Sequence, residues 1–453
     1  MIRSTLERFF DLERNQTTLG REVRAGFTTF LTMSYILFVN PDVLAKAIHV
    51  PNAFGQLLFV TAIASAVGSI AMGLMARYPF ATAPGMGLNA YFAFTVCGAQ
   101  KIPWTVALGA VFLEGLIFLA LSYGGIRQAL ISAIPRNLKY ASASGIGMFL
   151  CLIGLRQAGL VVANPATLVS LGALSQPRAL IALLTFLVTA VLLVRRVPGA
   201  ILLGIVFGSG ISIATRAPVF IAPDGSFAPF AGLPGGGVFA APVMPVDLFL
   251  ALDVRGALSM GALSIVFTFL FVEIFDTAGT LIGLADRGGY LDAYGNLPRA
   301  NQAFAADAVA TTFGALMGTS TTTAYIESAA GIEEGGRTGL TAIVTGLLFA
   351  LSPFAWPLAS AVPGVATASA LIVVGAMMTL HLGQMEWGDY AEVIPAFLTI
   401  VLMPFTFSIA NGISMGIISH VILKIGAGRW REVHPVMGVL CVVLAMRYVW
   451  LAE

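Results

Sequence analysis

The feature that most constrains this chain is a series of apolar runs, each roughly 17 to 25 residues long, that recurs along its whole length. A helix needs a run of about this length to cross the hydrocarbon core of a bilayer. Only 10% of the 453 residues are Asp, Glu, Lys or Arg, whereas a soluble domain of this size carries about 25%. The sequence therefore predicts an all-α polytopic membrane protein.

Charge and cysteine usage exclude several other classes of protein. The net charge of +2 is too small to indicate a nucleic-acid partner, and no block of like charges marks a tail. The cysteines Cys97, Cys151 and Cys441 are scattered without CxxC spacing, which argues against a disulfide framework or a zinc site. We therefore expect neither a metal nor a cofactor. The charged N-terminal stretch is unlike a signal peptide and is predicted to be a cytoplasmic amphipathic lead-in.

Apolar windows between charges, Pro and Gly predict about fourteen spans, half of them before and half after a Pro/Gly-rich external linker at 215–252. The apolar tail at 434–450 is interpreted as interfacial or partly buried, because Arg447 interrupts it. The predicted spans, numbered here in chain order, cover residues 23–40, 55–76, 80–98, 103–124, 139–162, 177–196, 198–214, 255–283, 302–319, 320–333, 338–355, 364–381, 392–409 and 411–426.

The two halves are predicted to be inverted repeats. "GLIFLALS" at 115–122, followed by "SAIP" at 132–135, recurs as "GLLFALS" at 346–352, followed by "SAVP" at 360–363. A duplicated unit with an odd number of spans must insert its second copy upside down, and such repeats are typical of alternating-access transporters. Most Lys and Arg residues fall in the cytoplasmic loops if the N-terminus is inside, so both termini are predicted to be cytoplasmic.

Span 3 contains a sequence that cannot form one continuous helix. In "PFATAPGMGLNAYFAF" at 79–94, Pro84 and Gly85 interrupt the helix, so extended backbone should precede a helix that begins near Met86. Asn89 then lies in the first helical turn. Short helices that begin inside the bilayer are where transporters of this build bind substrate.

Span 10 contains the matching interruption in "TSTTTAYIESAAGIEEGG" at 319–336. Its threonines favour extended or capping backbone, and a helix that begins around Tyr325 or Ile326 would place Glu327 in the first turn. A helix N-terminus attracts an acid or an electron-rich ligand. The alternative is that the hydroxyls only help helices to pack and that Glu327 lies in a loop beside Glu333.

Span 8 carries two acids in "FTFLFVEIFDTAGTLIG" at 267–283. Glu273 and Asp276 are three residues apart and should share one face of the helix. A charge at the bilayer centre costs about 2.5 to 3.5 kcal/mol, so these residues should face the protein interior. Two carboxylates this close disfavour double ionisation, and one of them can hold a proton near neutral pH, as proton-coupled transport requires. A buried pair capped by Thr hydroxyls, with no role in transport, is the alternative.

Other polar residues in the apolar spans are weaker candidates. Glu114 and Arg156 lack identifiable partners in the sequence, and Asp307 is as compatible with capping or packing as with function. His420 is typical of a packing histidine. Tyr91, Phe92 and Tyr325 lie near the interruptions, where aromatic rings could stack on a planar ligand, although aromatic residues this common are mostly packed.

Several of these stretches resemble the AzgA-like purine permeases of the nucleobase/ascorbate transporter superfamily. The similarity runs from about residue 9 to about 428 and is most specific at 306–342. It rests on "GFTTFLTMSYILFVNP", "APGMGLNAYFAF", "FVEIFDTAGTLIG", "ADAVATTFGALMGTSTTTAYIESAAGIEEGGRTGLTA" and "IPAFLTIVLMPFTFSIANGIS".

The resemblance implies a proton-coupled symporter for adenine, guanine or hypoxanthine in which a core domain moves against a gate domain. The implied substrate-site positions are Asn89, Glu273, Tyr325, Ile326 and Glu327. The implied coupling residues are Glu273, Asp276 and Glu327, and this chain has Glu273 where many relatives carry Asp. The implied divisions are a lead-in at 1–22, the core at 23–124 and 253–355, the gate at 125–214 and 356–428, the linker at 215–252 and a tail at 429–453.

The sequence and the resemblance together predict a symporter of the inner or plasma membrane. Its expected partners are a purine nucleobase, a proton as the coupling ion and the lipid bilayer, with a homodimer left open. The nearest alternative is a uracil or xanthine permease of the same superfamily. More remote alternatives are an anion transporter of the same fold, which would need a cation near the interruptions, and a membrane-embedded enzyme.

Overall fold

The computed structural model describes residues 7–123, 135–217, 239–292 and 297–450, which form a bundle of helices with short two-stranded sheets. Helices of the first half are α1 Leu19–Met33, α2 Ile36–Leu44, α3 Ala53–Met75, α4 Met86–Ala90, α5 Trp104–Tyr123, α6 Arg136–Ala158, α7 Pro177–Val194 and α8 Ala200–Ala214. Those of the second half are α9 Val254–Ala257, α10 Met260–Gly288, α11 Ala300–Met317, α12 Ser328–Glu333, α13 Gly339–Leu351, α14 Trp356–Ser360, α15 Gly364–Met378, α16 Tyr390–Phe405, α17 Ile409–Gly426 and α18 Pro435–Trp450. The strands are β1 Thr82–Pro84, β2 Val161–Asn164, β3 Leu168–Leu171 and β4 Thr322–Ala324.

Each predicted span corresponds to one or more of these elements. Within the described ranges, nine helical segments are at least 18 residues long and apolar enough to cross a membrane, and several shorter apolar helices accompany them. Span 3 consists of β1, α4 and a π-helical continuation at Tyr91–Ala99, and span 10 consists of β4 and α12. The prediction of an all-α polytopic protein with short extended stretches in spans 3 and 10 is confirmed.

Spans related by the inverted repeat meet in the middle of the protein. Strands β1 and β4, one from each half, pair antiparallel with Ala83 opposite Thr323. The helices of spans 5 and 12 cross at Gly147 and Gly375, where a Cβ on either glycine would clash with the carbonyl oxygen of the other. Corresponding segments of the two halves therefore face each other, as expected for the predicted pseudo-two-fold relation.

The structure contains local features that the sequence did not predict. Span 1 is broken into α1 and α2, with Ser34 and Tyr35 between them. Strands β2 and β3 form a hairpin between spans 5 and 6. Of the predicted linker, residues 218–238 lie outside the described residues, as do residues 132–134 of the first repeat motif.

The apolar tail predicted to be interfacial or partly buried forms α18, a helix of 16 residues. It packs against α17 after a 3-10 turn at Trp430–Glu432. Met437 and Leu444 of α18 are buried, whereas Val439, Val442, Val443 and Met446 are exposed. One face of this helix is therefore packed on the protein and the other is available to lipid.

Candidate functional site

The two interrupted spans are joined by backbone hydrogen bonds. The amide of Gly85 donates to the carbonyl oxygen of Thr321 at 2.9 Å, and the amide of Tyr325 donates to that of Ala81 at 3.0 Å. The Tyr325 hydroxyl donates to the carbonyl oxygen of Pro84 at 2.6 Å. These bonds satisfy backbone groups that would otherwise be unpaired in the bilayer interior, where extended backbone is tolerated only if it is buried or lines a cavity.

The short helices begin close to the predicted positions. Helix α4 begins at Met86, as expected from Pro84 and Gly85. Helix α12 begins at Ser328, two or three residues later than the sequence predicted, and Glu327 is its N-cap residue. The delay arises because the amide of Tyr325 is used by the strand pairing, which extends one residue beyond β4.

Asn89 is completely buried in a network of hydrogen bonds that joins spans 1, 2, 3 and 10. Its Nδ2 donates to Asn40 Oδ1 at 2.6 Å, and its Oδ1 accepts from the Ser320 hydroxyl. Asn40 Nδ2 in turn lies 2.8 Å from the Thr61 hydroxyl and 3.2 Å from the Thr319 hydroxyl, which both accept from it. Both ends of the Asn89 amide are therefore engaged within the protein.

Glu327 is partly exposed and lies beside an acid of span 8. The Tyr35 hydroxyl, from the break in span 1, donates to Glu327 Oε1 at 2.7 Å. The carboxyl groups of Asp276 and Glu327 interact electrostatically, and Asp276 is also partly exposed. Ile326 leaves 38% of its surface exposed next to Glu327. We call Asp276, Ile326 and Glu327, together with the buried Tyr35 that bonds to Glu327, the exposed acidic cluster.

Glu273 lies in a different environment from Asp276, although both belong to α10. It is completely buried, and the Thr311 hydroxyl lies 3.2 Å from its Oε1. Its carboxyl group interacts electrostatically with those of Asp307 and Glu114. Because three residues leave an offset of about 60° from a full helical turn, the two acids of span 8 face different neighbours. The predicted site residues thus divide into Asp276, Ile326 and Glu327 on one side and Glu273 on the other.

Hydroxyl groups connect the surroundings of Glu273 to β4. The Thr277 hydroxyl donates to Asp307 Oδ2 at 2.5 Å and lies 3.0 Å from the Thr323 hydroxyl. The Thr311 hydroxyl lies 2.7 Å from the carbonyl oxygen of Thr322 and accepts from its amide at 3.1 Å. These hydrogen bonds therefore hold spans 8 and 9 against β4, the strand that precedes Glu327.

Sequence reasoning missed Tyr35 and Asn40, which supply partners for two of the predicted residues. A signal for Asn40 was present, because it is a polar residue directly before Pro41 in an apolar span. Glu114 had no identifiable partner in the sequence and Asp307 was as compatible with packing as with function, and in the structure both interact electrostatically with Glu273. Tyr91 and Phe92, considered for stacking, are completely buried, and Tyr91 packs edge-on against Phe269 at 5.2 Å.

A cavity of about 10 Å³, room for about one water molecule, lies elsewhere, between spans 5, 8, 13 and 14. Its lining includes Leu138, Ser142, Phe271, Thr399 and Ile417, and none of the predicted site residues lines it. Its walls are largely apolar, and it offers no acid to a ligand. The exposed acidic cluster therefore remains the better candidate for recognising a polar substrate.

Comparison with known proteins gives a consistent family. A permease family, Xan_ur_permease, matches residues 20–415 of this chain. The adenine permease AdeP of Escherichia coli (strain K12) is 42% identical over 446 residues, which cover 98% of this chain and 96% of the relative. The guanine/hypoxanthine permease PbuO of Bacillus subtilis (strain 168) is 44% identical over 441 residues, covering 96% and 98%. The resemblance drawn from the quoted motifs is confirmed.

Comparison with solved structures concerns the fold. The transmembrane domain of a cyanobacterial bicarbonate transporter, BicA, matches with a TM-score of 0.62 over 88% of this chain and 97% of that domain. The two sequences are 17% identical. This likeness, with the apolar helices and the paired strands, confirms a polytopic transporter fold of seven plus seven spans.

Proposed function

Because this chain belongs to the Xan_ur_permease family, we propose that it is a proton-coupled symporter that imports purine nucleobases by alternating access. The expected substrates are adenine, guanine or hypoxanthine, as the names of AdeP and PbuO suggest. The observation that carries the proposal is the exposed acidic cluster at the crossing of two interrupted spans. Transporters built from inverted repeats bind their substrates at such crossings.

The chemistry of the exposed acidic cluster suits a purine. A purine base is planar and neutral, and its edge presents N–H donors that carboxylates accept. Asp276 and Glu327 would receive these bonds, while the Tyr35 hydroxyl fixes the orientation of the Glu327 carboxylate at 2.7 Å. Ile326 offers exposed apolar surface to the face of the ring. A base with a different edge would leave a buried polar group unpaired, which is the usual source of discrimination at such sites.

Asn89 and Tyr325 would support the site without pointing a free polar group at the base. The Asn89 amide holds spans 1 and 10 to span 3 through Asn40 and Ser320. The Tyr325 hydroxyl is bound to Pro84 and so fixes the strand ahead of Glu327. Loss of the hydrogen bonds of Asn89 or of Tyr325 should make the positions of Asp276 and Glu327 less fixed, because a binding site depends on such supporting contacts.

Proton coupling would follow from the acids of span 8. In the proposed cycle a carboxyl group takes a proton from the outside, the base binds, and the core domain at 23–124 and 253–355 moves against the gate domain. Loss of the proton to the cytoplasm then favours release of the base. The distribution of Lys and Arg supports a plasma-membrane protein with both termini in the cytoplasm.

The proposal is tested by uptake of labelled adenine, hypoxanthine, guanine and uracil into proteoliposomes with and without an inward proton gradient. We expect at least one purine to accumulate against its gradient and to leave again when a protonophore is added. Accumulation of uracil alone would support the uracil/xanthine alternative. Equal purine levels with and without the gradient would contradict proton coupling, and absence of all uptake would contradict the transport function.

A further inference from the structure

Three acids from three different spans meet in the interior of the predicted core domain. Glu114 comes from α5, Glu273 from α10 and Asp307 from α11, and all three are 0% exposed. Glu273 and Asp307 face each other across spans 8 and 9, because the hydroxyl of Thr311, one turn from Asp307, contacts Glu273 and that of Thr277, one turn from Glu273, contacts Asp307. Electrostatic interactions connect Glu114 to both. We call these three residues the buried acidic triad.

The triad has far more acceptor atoms than donors. Thr277 donates its hydroxyl to Asp307, whereas the Thr311 hydroxyl lies 3.2 Å from Glu273 and closer, at 2.7 Å, to the carbonyl oxygen of Thr322. Both oxygens of Glu114, together with Glu273 Oε2 and Asp307 Oδ1, are buried without a hydrogen-bond partner. A protonated carboxyl group is itself a donor, so a proton supplies what these unpaired oxygens lack. The shortage of donors therefore favours at least one bound proton among the three acids.

Glu22 of α1 is also 0% exposed, but donors surround its carboxyl group. Glu22 accepts hydrogen bonds from the amides of Arg337, Thr338 and Thr341 and from the hydroxyls of Thr338 and Thr341. These donors lie at the start of α13, where backbone amides are otherwise unpaired. Both oxygens of Glu22 are therefore satisfied by donors, whereas neither oxygen of Glu114 has a hydrogen-bond partner.

The groups that face the triad do not supply a compensating charge. Asp276 is the further titratable residue that interacts with Glu273 and Asp307, and the remaining polar neighbours are threonines of spans 8, 9 and 10. No ion pair of the described residues involves a triad carboxyl. An unpaired buried charge costs several kcal/mol, so such groups are held neutral.

We propose that Glu114, Glu273 and Asp307 form a proton-binding site, separate from the exposed acidic cluster, that carries the coupling proton of the symport. The proposal rests on the proposed function and adds Glu114 and Asp307 to it. Protonation neutralises the triad without requiring new ligands.

The hydroxyl contacts to β4 explain how the proton would act on base binding. A deprotonated triad places negative charge behind Asp276 and next to the strand that Thr277 and Thr311 hold. That charge opposes ionisation of Asp276 and Glu327, which the base needs as acceptors. Protonation of the triad removes the opposition, so proton and base bind with positive coupling, and each ligand strengthens binding of the other by the same factor.

The test compares Glu114→Gln and Asp307→Asn with wild type and with Glu13→Gln, which neutralises an exposed acid outside the spans. Gln and Asn keep the shape of the protonated acids. For both triad variants we expect purine binding within about threefold of wild type and loss of the pH dependence of binding. We expect exchange of labelled for unlabelled base to persist while accumulation driven by the proton gradient falls to the exchange level.

Each outcome of this comparison is decisive. Accumulation and pH dependence equal to wild type in both variants would overturn the proton site while leaving the proposed function intact. If wild type itself neither binds nor accumulates a purine, the proposed function fails instead. Thermal unfolding distinguishes loss of function from poor folding. Neutral triad variants should unfold at or above the wild-type temperature. Glu22→Gln should unfold at a lower temperature than wild type. Triad variants less stable than Glu22→Gln would contradict the proposal.

Discussion

The exposed acidic cluster and the buried acidic triad share helix α10 yet have opposite properties. Asp276 and Glu327 are partly exposed, and Glu327 has a Tyr hydroxyl as a donor. Glu114, Glu273 and Asp307 are 0% exposed and leave four carboxyl oxygens without partners. Acids three residues apart on one helix thus reach different surroundings. Exposure and the supply of donors, rather than the residue type, indicate which acids can meet a base and which can hold a proton.

The difference also suggests how one helix can couple two ligands. A rigid helix transmits a change at Glu273 to Asp276 over less than one turn. The contacts from Thr277 and Thr311 to β4 carry the same change towards Glu327. Neither ligand has to touch the other, because each needs only to bias the same arrangement of spans 8 and 10.

The largest expected effect is on base binding by Glu327→Gln. The variant loses a charged acceptor, and hydrogen bonds to charged groups contribute about 1.5 to 3 kcal/mol each. We expect affinity for the preferred purine to fall by about 10- to 150-fold, measured by equilibrium binding to the purified protein. Glu333→Gln is the matched control, because Glu333 lies in the same helix but is mostly exposed. Binding within a few-fold of wild type would remove Glu327 from the base site.

A smaller effect is expected for Tyr35→Phe. The substitution removes the 2.7 Å hydrogen bond to Glu327 but keeps the ring and the acid. A typical single bond contributes about 0.5 to 1.5 kcal/mol, so the KM for uptake should rise by about 3- to 10-fold with the maximal rate less affected. The response to the proton gradient should be unchanged, since the triad is untouched. A change in gradient dependence without a change in KM would show that the exposed acidic cluster, and not the buried acidic triad, binds the coupling proton.

The smallest effect is expected for the charged residues at the 3-10 turn that follows α17. Hydrogen bonds from Arg429 and Lys424 lower the pKa of Glu432 to about 2. A carboxyl with a lowered pKa contributes stability above its unfolded-state value and loses it only as the pH falls through the folded value. Glu432 therefore stays ionised throughout the neutral range. Glu432→Gln should leave the pH profile of uptake unchanged, and a shifted profile would show that acids outside the triad set the pH dependence.

Much of the fold could be predicted because the bilayer imposes strong rules on sequence. Apolar length located the spans, and Pro84 with Gly85 fixed the start of α4 at Met86. The matching threonines of span 10 located β4. The start of α12 was less accurate because a tertiary contact, from the Tyr325 amide to Ala81, extends the strand.

The division of the acids could not be predicted from helical spacing. Glu273 and Asp276 share a face by periodicity, but their neighbours come from spans 4, 9, 1 and 10, which approach from different directions. Tyr35 becomes a partner of Glu327 only because span 1 breaks at this position, and no Pro or Gly next to Tyr35 marks that break. Which side chains an acid contacts depends on tertiary packing, and the local sequence pattern does not encode that packing.

The most direct test of separate sites for the base and the proton is the variant Glu273→Gln, assayed for base binding and for gradient-driven accumulation in the same proteoliposomes. The account predicts that binding stays within about threefold of wild type while accumulation against the base gradient is lost, because the neutral amide cannot take or release the coupling proton. Accumulation at the wild-type level, or loss of binding as complete as in Glu327→Gln, would contradict separate sites for the base and the proton.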